Sequence, residues 1–195
     1  MQAAGFVQID DFLREDERSP LLDYVLSRES EFVPTTTSTG ETDYRRSQIL
    51  YWFPDYSDWM VQRVAAVVPE VFQRLGMAQA AIEQIEIQLT AHNDGHYYKI
   101  HNDNGSTEAA TRVLSYVYYF HRHPKAFTGG ELQLYHPDVE YGATTQTDGF
   151  QLIEPCNNRI VFFPSGYLHA VMPVVCPSQA FPDSRFTLNG WVRQV

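Results

Sequence analysis

The second half of the chain is a succession of short segments rich in β-forming residues, and this pattern most constrains the fold. Ile85–Thr90 alternates apolar and polar residues, which is the period of a half-buried strand. Most of the segments are bounded by Gly, Pro, Asn or Asp, which favour turns. The other predicted strands of this part are Tyr97–His101, Arg112–Phe120, Glu131–Tyr135, Gln151–Ile153, Arg159–Phe163, Ala170–Val175 and Arg185–Val192.

Two helices are predicted before these strands. Apolar residues recur at helical spacing from about Arg14 to Arg28 and from about Tyr56 to Leu75. Asp11 is the candidate cap of the first helix, and Gly76 ends the second. Two helices followed by many short strands predict a mainly β fold with flanking helices, built on a sandwich or barrel of the jelly-roll or cupin-like kind.

Length and charge limit the domain count and the partners. The 195 residues suit a single domain (1–195), with helical support over about 1–80 and a β core over about 82–195. The net charge is −10, and Arg45–Arg46 is the nearest approach to a basic run. We therefore expect neither nucleic acid nor an anionic membrane surface as a partner.

The targeting and cysteine signals predict an intracellular, cytoplasmic protein. The N-terminal residues do not match a signal peptide, and no apolar stretch is long enough to span a bilayer. Cys156 and Cys176 form no CxxC pair and are expected to be free thiols. The oligomeric state stays open, with an edge strand or the aromatic segment 51–53 as a candidate homodimer contact.

One histidine–aspartate pair is a candidate metal site. His101 and Asp103 are two residues apart at the end of a predicted strand. Side chains i and i+2 of a strand share a face, so the imidazole and the carboxylate can reach one ion. The alternative is a surface turn with two solvated polar groups, because both residue types are common.

A third ligand must come from elsewhere in the chain. His169 is the best candidate, because it follows a turn and begins a predicted strand. Two histidines and one carboxylate leave three positions of an octahedral ion open. That is the arrangement of non-haem iron(II) oxygenases, in which the cosubstrate and O₂ take the free positions.

Several segments in order resemble the prolyl-4-hydroxylase-type 2-oxoglutarate/Fe(II)-dependent oxygenase family. Tyr98-Lys-Ile-His-Asn-Asp103, which follows Asn93-Asp-Gly95, is similar to the family's metal-binding motif. The other similar segments are Arg112–His121, Gly129-Gly-Glu-Leu132, Asn158–Ser165, His169–Val174 and Ser184–Trp191. The resemblance covers about residues 82 to 195 and implies a double-stranded β-helix core.

The resemblance implies a role for each matching residue. His101, Asp103 and His169 are the implied iron ligands. Asp103 favours hydroxylation, since related halogenases carry a small residue there. Arg185 is implied to bind the far carboxylate of 2-oxoglutarate, because a guanidinium can bind both oxygens at once. Further cosubstrate contacts are implied for Thr187, Tyr119 and Tyr98.

The implied reaction couples decarboxylation of 2-oxoglutarate to hydroxylation of a C–H bond. The products are succinate, CO₂ and an alcohol, and the cofactors are Fe(II), 2-oxoglutarate and O₂, with ascorbate as a further candidate. The substrate is a prolyl residue, a peptide or protein, or a small amino-acid-like molecule. The alternatives are a cupin-like metal- or ligand-binding module without turnover and an interaction protein without metal.

The remaining polar features are expected to lie at the surface. His92 and His96 flank the Asn-Asp-Gly turn and are predicted to face solvent. Residues 35–44 and 176–184 are candidate lids over the site, because loops often carry specificity. Gly129 and Gly130 are expected to provide backbone geometry that other residues disfavour.

Overall fold

The computed structural model describes residues 5–35, 43–79, 81–136 and 149–194. Two α-helices lie in these ranges, α1 (Glu15–Ser27) and α2 (Pro54–Leu75). The strands are β1 (Val7–Ile9), β2 (Val33–Pro34), β3 (Arg45–Arg46), β4 (Gln48–Leu50), β5 (Ile82–His92), β6 (Tyr97–His101), β7 (Arg112–Phe120), β8 (Thr128–Gly129), β9 (Leu132–Tyr135), β10 (Phe150–Ile153), β11 (Arg159–Pro164), β12 (His169–Val171), β13 (Val174–Val175) and β14 (Arg185–Gln194).

The strands form two large antiparallel sheets. The larger has the order β1-β11-β7-β14-β5-β4-β2, and the smaller has the order β10-β9-β12-β6-β3. A separate two-stranded pair joins β13 to β8. The protein is thus mostly β with few helices and has the jelly-roll fold, so the predicted fold class is confirmed.

Alternation along the central strands gives the larger sheet two different faces. On β7, Leu114, Tyr116, Tyr118 and Phe120 pack into the core that includes both helices. Tyr119, between them, packs instead with residues of β9, β10 and β11. Because successive side chains of a strand point to opposite sides, one face holds the helices and the other meets the smaller sheet.

Helix α2 is the main support of the outer face. Pro54 occupies its first turn, where a missing N–H costs nothing, and Gly76 ends it with φ +67°. Its buried residues are Met60, Val64, Val68, Val71 and Phe72. Within the described part of the chain, neither helix combines the length and apolarity needed to cross a membrane.

Helix α1 begins later than the predicted cap. Its N-cap is Arg14, whose backbone N–H donates to the carboxylate of Glu17 at 3.0 Å. Asp11 instead has φ +52° in the preceding turn, so the proposed Asp11 cap is wrong. Glu17 satisfies the helix end in its place, because a carboxylate three residues into a helix can reach back to the cap.

The predicted strand 170–175 is divided in the structure. β12 ends at Val171, and β13 begins at Val174 and pairs with β8 rather than β9. Pro173 lies between them, and proline has no N–H for a ladder hydrogen bond. The chain therefore leaves the smaller sheet after Val171.

The two candidate lids have different outcomes. Residues 36–42 lie outside the described ranges. Segment 176–184 is anchored, since the N–H of Cys176 donates to Asp94 at 2.9 Å and Asn93 donates to Ser184 at 2.7 Å. Phe181 packs on Phe186 at 5.2 Å between ring centroids. The segment therefore supports the start of β14 and does not line the cavity described below.

The cysteine expectation is confirmed and the dimer contact stays a prediction. Cys156 and Cys176 are free. In the aromatic segment, Tyr51 and Trp52 are 68% and 72% exposed, whereas Phe53 is buried.

Candidate functional site

Three side chains of the predicted metal site meet at one point. β6 and β12 are antiparallel neighbours, and His101 lies directly opposite His169. Nε2 of His101 lies 3.7 Å from Oδ1 of Asp103, and Nε2 of His169 lies 3.4 Å from Oδ2. All three ligand atoms lie within 4.8 Å of one another. The register of β6 and β12 thus adds His169 to the pair of ligands that the His101–Asp103 spacing predicts.

Backbone carbonyls orient both imidazoles. Nδ1 of His101 lies 2.8 Å from the carbonyl of Lys99, and Nδ1 of His169 lies 3.0 Å from that of Tyr167. A carbonyl can only accept, so each Nδ1 carries the proton and each Nε2 presents a lone pair to Asp103. Burial, and then the neighbouring His169, lower the pKa of His101 to about 3. The ring is therefore neutral near pH 7, which is the form that binds a metal.

Asp103 is held from two sides just beyond the end of β6. The Ser115 hydroxyl donates to its Oδ2 at 2.6 Å, and its own N–H donates to the carbonyl of Ser165 at 2.9 Å. Burial favours the protonated acid, but the pKa of Asp103 stays below its usual value, and the hydrogen bond from Ser115 is among the interactions that lower it. The carboxylate is thus ionised as a ligand must be.

Tyr98 belongs to the metal end of the site. Its ring stacks on His101, with 3.6 Å between centroids and 19° between planes. The guanidinium of Arg45 lies 4.9 Å from the centre of the same ring. Tyr98 therefore restrains the ring of His101, and it also lines the cavity described below.

Arg185 is a buried cation at the start of β14. Its side chain is 2% exposed, and its Nη1 lies 3.5 Å from Nδ1 of His92. Its guanidinium lies 4.9 Å from the ring centre of Tyr119. Nε of Arg185 and the hydroxyl of Tyr119 are buried without a hydrogen-bond partner among the described residues. Burial lowers the pKa of Arg185, which reflects the cost of a cation without an anion.

Thr187 and Gly130 complete the surroundings of Arg185. The hydroxyl of Thr187 lies 2.6 Å from that of Thr90, its partner across β5 and β14. Gly130 has φ +72°, and a Cβ there would lie 2.7 Å from Cδ of Arg185. The expected backbone role of this glycine is therefore supported, because a side chain would displace the arginine.

One cavity connects the metal end to the arginine end. Its volume is about 650 Å³, and its wall includes His101, Asp103, His169, Arg185 and Thr187. Tyr119 lies behind Arg185 and does not form part of the wall. Cavities of 300–1,000 Å³ are typical of small-molecule sites. The volume of this cavity lies within that range.

His92 is the site residue that the sequence prediction missed. It was expected to face solvent, yet it is buried and lines the same cavity. β5 runs to His92 rather than ending at Thr90, so Gln88, Thr90 and His92 share the cavity face. The alternation of apolar and polar residues over 85–90, extended by two residues, would have placed His92 on the same face as Gln88 and Thr90.

The side chains fit both an iron ion and a dicarboxylic keto acid. Two imidazoles and a carboxylate at one point are the donor set of non-haem iron sites. At the other end, the unpartnered Nε of Arg185 and the neighbouring Thr187 offer donors to an anion. A ligand that chelates the metal and ends in a carboxylate satisfies both ends.

The sequence comparisons agree with this donor set. Residues 87–193 match the family model of the 2OG-Fe(II) oxygenase superfamily. The chain is 42% identical over 189 residues to an uncharacterised PKHD-type hydroxylase of Synechocystis sp.. The match covers 96% of this chain, which spans 62% of the length of that relative.

The structural comparisons show the same fold. A Pseudomonas putida prolyl-4-hydroxylase superposes with a TM-score of 0.69 at 23% identity, over 98% of this chain and 93% of that one. A Trichoplax adhaerens prolyl hydroxylase, in complex with a hypoxia inducible factor peptide fragment, superposes with a TM-score of 0.70 at 18% identity, over 97% and 84%. The match to the family model covers more than half of the chain, and the chain therefore belongs to the 2OG-Fe(II) oxygenase superfamily.

Proposed function

We propose that this protein is a 2-oxoglutarate- and Fe(II)-dependent dioxygenase that hydroxylates a C–H bond and releases succinate and CO₂. The observation that carries the proposal is that one cavity holds both the His101–Asp103–His169 site and the buried guanidinium of Arg185, whose Nε has no hydrogen-bond partner among the described residues. A metal site alone does not require a buried cation in the same cavity. The pair of features fits a keto acid with a second carboxylate.

The chain's own residues would position and restrain the reactants. His101, Asp103 and His169 would hold iron(II), while Arg185 would bind the far carboxylate of 2-oxoglutarate with Thr187 beside it. Tyr119, beneath the guanidinium, is a further candidate contact to this carboxylate, and Tyr98 is one beside the metal cluster. Bound iron(II) would supply, with O₂ and the keto acid, the oxidising chemistry that these side chains lack.

Relatives and cavity size favour an amino-acid-like substrate. The chain is similar to a PKHD-type hydroxylase and to prolyl hydroxylases, so a prolyl residue in a peptide or protein is the leading substrate class. The cavity of about 650 Å³ has room for a small ring beside 2-oxoglutarate. A free amino-acid-like molecule is the other candidate of this class.

The test is succinate release from 2-oxoglutarate by anaerobically purified protein given iron(II), ascorbate and O₂. His101→Ala removes a proposed metal ligand, and Arg185→Ala removes the proposed carboxylate anchor. We expect slow turnover by the wild type and a loss of about 100-fold or more in each variant. His123→Ala, at an exposed loop histidine, is the matched control and should retain the wild-type rate.

Binding separates the proposal from a cupin-like module without turnover. Calorimetry of iron(II) and then 2-oxoglutarate under anaerobic conditions reports the two sites directly. Wild-type protein that binds neither ligand would refute the oxygenase proposal. Binding of both, with no succinate released for any member of a panel of prolyl peptides and amino acids, would favour the binding module.

A further inference from the structure

His92 is a buried histidine whose second ring nitrogen has no partner. It lies directly opposite Arg185 in the β5–β14 register and lines the cavity. Its Nε2 is buried and forms no hydrogen bond with any described residue. An unsatisfied buried polar atom is costly, typically by about 1–3 kcal/mol. Such an atom in a cavity wall indicates that a ligand supplies the missing partner.

The contact with Arg185 determines which ring nitrogen of His92 carries the proton. Nη1 of Arg185 lies 3.5 Å from Nδ1 of His92, and a guanidinium can only donate. Nδ1 is therefore the acceptor, and the proton of the neutral ring is on Nε2. The unpartnered atom is thus an N–H donor, which requires an acceptor from the ligand.

We propose that His92 is a cosubstrate-binding residue that donates its Nε2–H to the far carboxylate of 2-oxoglutarate, next to the guanidinium of Arg185. This inference rests on the function proposed above. It assigns His92 two contacts: Nδ1 helps to orient the guanidinium, and Nε2–H adds a donor for an anion. The selectivity of the site for a dicarboxylate would then depend on both residues.

The electrostatic surroundings of His92 fit a neutral donor. Burial, followed by the positive charges of Arg185 and Arg45, lowers the pKa of His92 well below its usual value. A neutral imidazole leaves one guanidinium charge to balance one carboxylate. The charge of the Arg185 guanidinium is then matched by the carboxylate that it contacts.

Calorimetry of 2-oxoglutarate in the presence of Mn(II), which stands in for iron(II), tests the assignment without turnover. His92→Leu removes both ring nitrogens, and His92→Gln keeps an N–H donor near the position of Nε2. His121→Leu is the matched control, since His121 is also buried with an unpartnered Nε2 but does not line the cavity. Thermal melting verifies that each variant is folded.

The second ligand is 2-oxovalerate, which has the same carbon chain without the far carboxylate. We expect His92→Leu to raise the Kd of 2-oxoglutarate about 10-fold or more and to leave that of 2-oxovalerate within about 2-fold. His92→Gln and His121→Leu should stay within about 3-fold of the wild type for both ligands.

Each contrary result overturns a defined part of the assignment. A folded His92→Leu that binds 2-oxoglutarate like the wild type refutes the role of His92, as does an equal loss for the two ligands. A His92→Gln variant as weak as His92→Leu refutes the donor role of Nε2. A wild type that binds no 2-oxoglutarate refutes the proposed function itself, which is a different outcome from the other three.

Discussion

At the scale of single residues, a hydrogen bond from Ser115 orients Asp103, the carboxylate of the candidate metal site. The Ser115 hydroxyl donates to Oδ2 of Asp103, and Ser165 lies 3.0 Å from Ser115 on the other side. Asp103 follows β6 in a bend rather than lying in the strand. The orientation of its carboxylate therefore depends on the side chains that contact it, Ser115 among them.

Ser115→Ala is expected to weaken metal binding by about 10- to 100-fold, since groups that orient a ligand commonly contribute that much. Calorimetric titration of Mn(II) measures the effect. Ser19→Ala, on the exposed side of α1, is the control and should bind Mn(II) like the wild type. An unchanged affinity in Ser115→Ala would show that Asp103 needs no such restraint.

Gly130→Ala is expected to weaken 2-oxoglutarate binding by about 10-fold or more, because the added methyl would displace Arg185. Gly76→Ala is the matched control. Gly76 also has positive φ, but nothing lies within 4 Å of the position of its Cβ. Both variants should lose stability through backbone strain, about 1–3 kcal/mol each. Only Gly130→Ala should also lose affinity in calorimetry with Mn(II); equal affinities would contradict this reading.

At the scale of elements, β14 has one face that packs into the core and one face that lines the cavity. Phe186, Leu188 and Val192 pack into the helix-side core, while Arg185 and Thr187 line the cavity. A slip of one residue in the register would exchange the two sets. The apolar face against α2 therefore holds the arginine in place as well as stabilising the fold.

Met60→Ala removes a fully buried side chain of α2 and should lower the free energy of unfolding by about 2–5 kcal/mol. Gln73→Ala, on the exposed side of the same helix, should change it by no more than about 0.5 kcal/mol. Urea unfolding measures both values. A Met60→Ala loss no larger than that of Gln73→Ala would show that the helix face is not tightly packed.

At the scale of the whole molecule, the site draws on both sheets. The smaller sheet brings His101 and His169 together, and the larger sheet brings Arg185 next to His92. The cavity between them exists only when the sheets pack face to face. Conditions that loosen this packing should therefore weaken metal and cosubstrate binding together.

Buried histidines make the stability of the whole molecule depend on pH. Burial, and then nearby Lys125, His123 and Arg18, keep the pKa of His121 below its usual value, although a hydrogen bond with the Arg122 carbonyl opposes them. The unfolded chain then binds more protons than the folded one below about pH 6.5, so stability falls as pH decreases.

The slope from one such group approaches about 1.4 kcal/mol per pH unit, and His121→Leu should reduce it. Urea unfolding at pH values from 7 down to 5 measures this slope. His136→Ala, at an exposed position, is the control and should keep the wild-type slope. A slope that is the same in His121→Leu would contradict the prediction.

Much of the fold was predictable because its signals are local. The bounds of β6 and β7 agree with the predicted segments, and β11, β14 and both helices differ by a few residues at their ends. Periodicity and turn residues act over a few positions and can be read from them. The predicted Asp11 cap was wrong because Glu17 accepts the hydrogen bond at the start of α1. The predicted strand 170–175 was wrong because Pro173 interrupts it, and Val174 then pairs with β8.

The sequence by itself determined the two-faced strands, the helix that supports them, and the three residues that meet as a candidate metal cluster. Only the tertiary structure decided that His92 is buried, that Nε of Arg185 has no hydrogen-bond partner among the described residues, and that Tyr98 stacks on His101. The physical reason is distance along the chain. Burial and register join residues about 90 positions apart, as in the pairing of Arg185 with His92, and no local pattern carries that information.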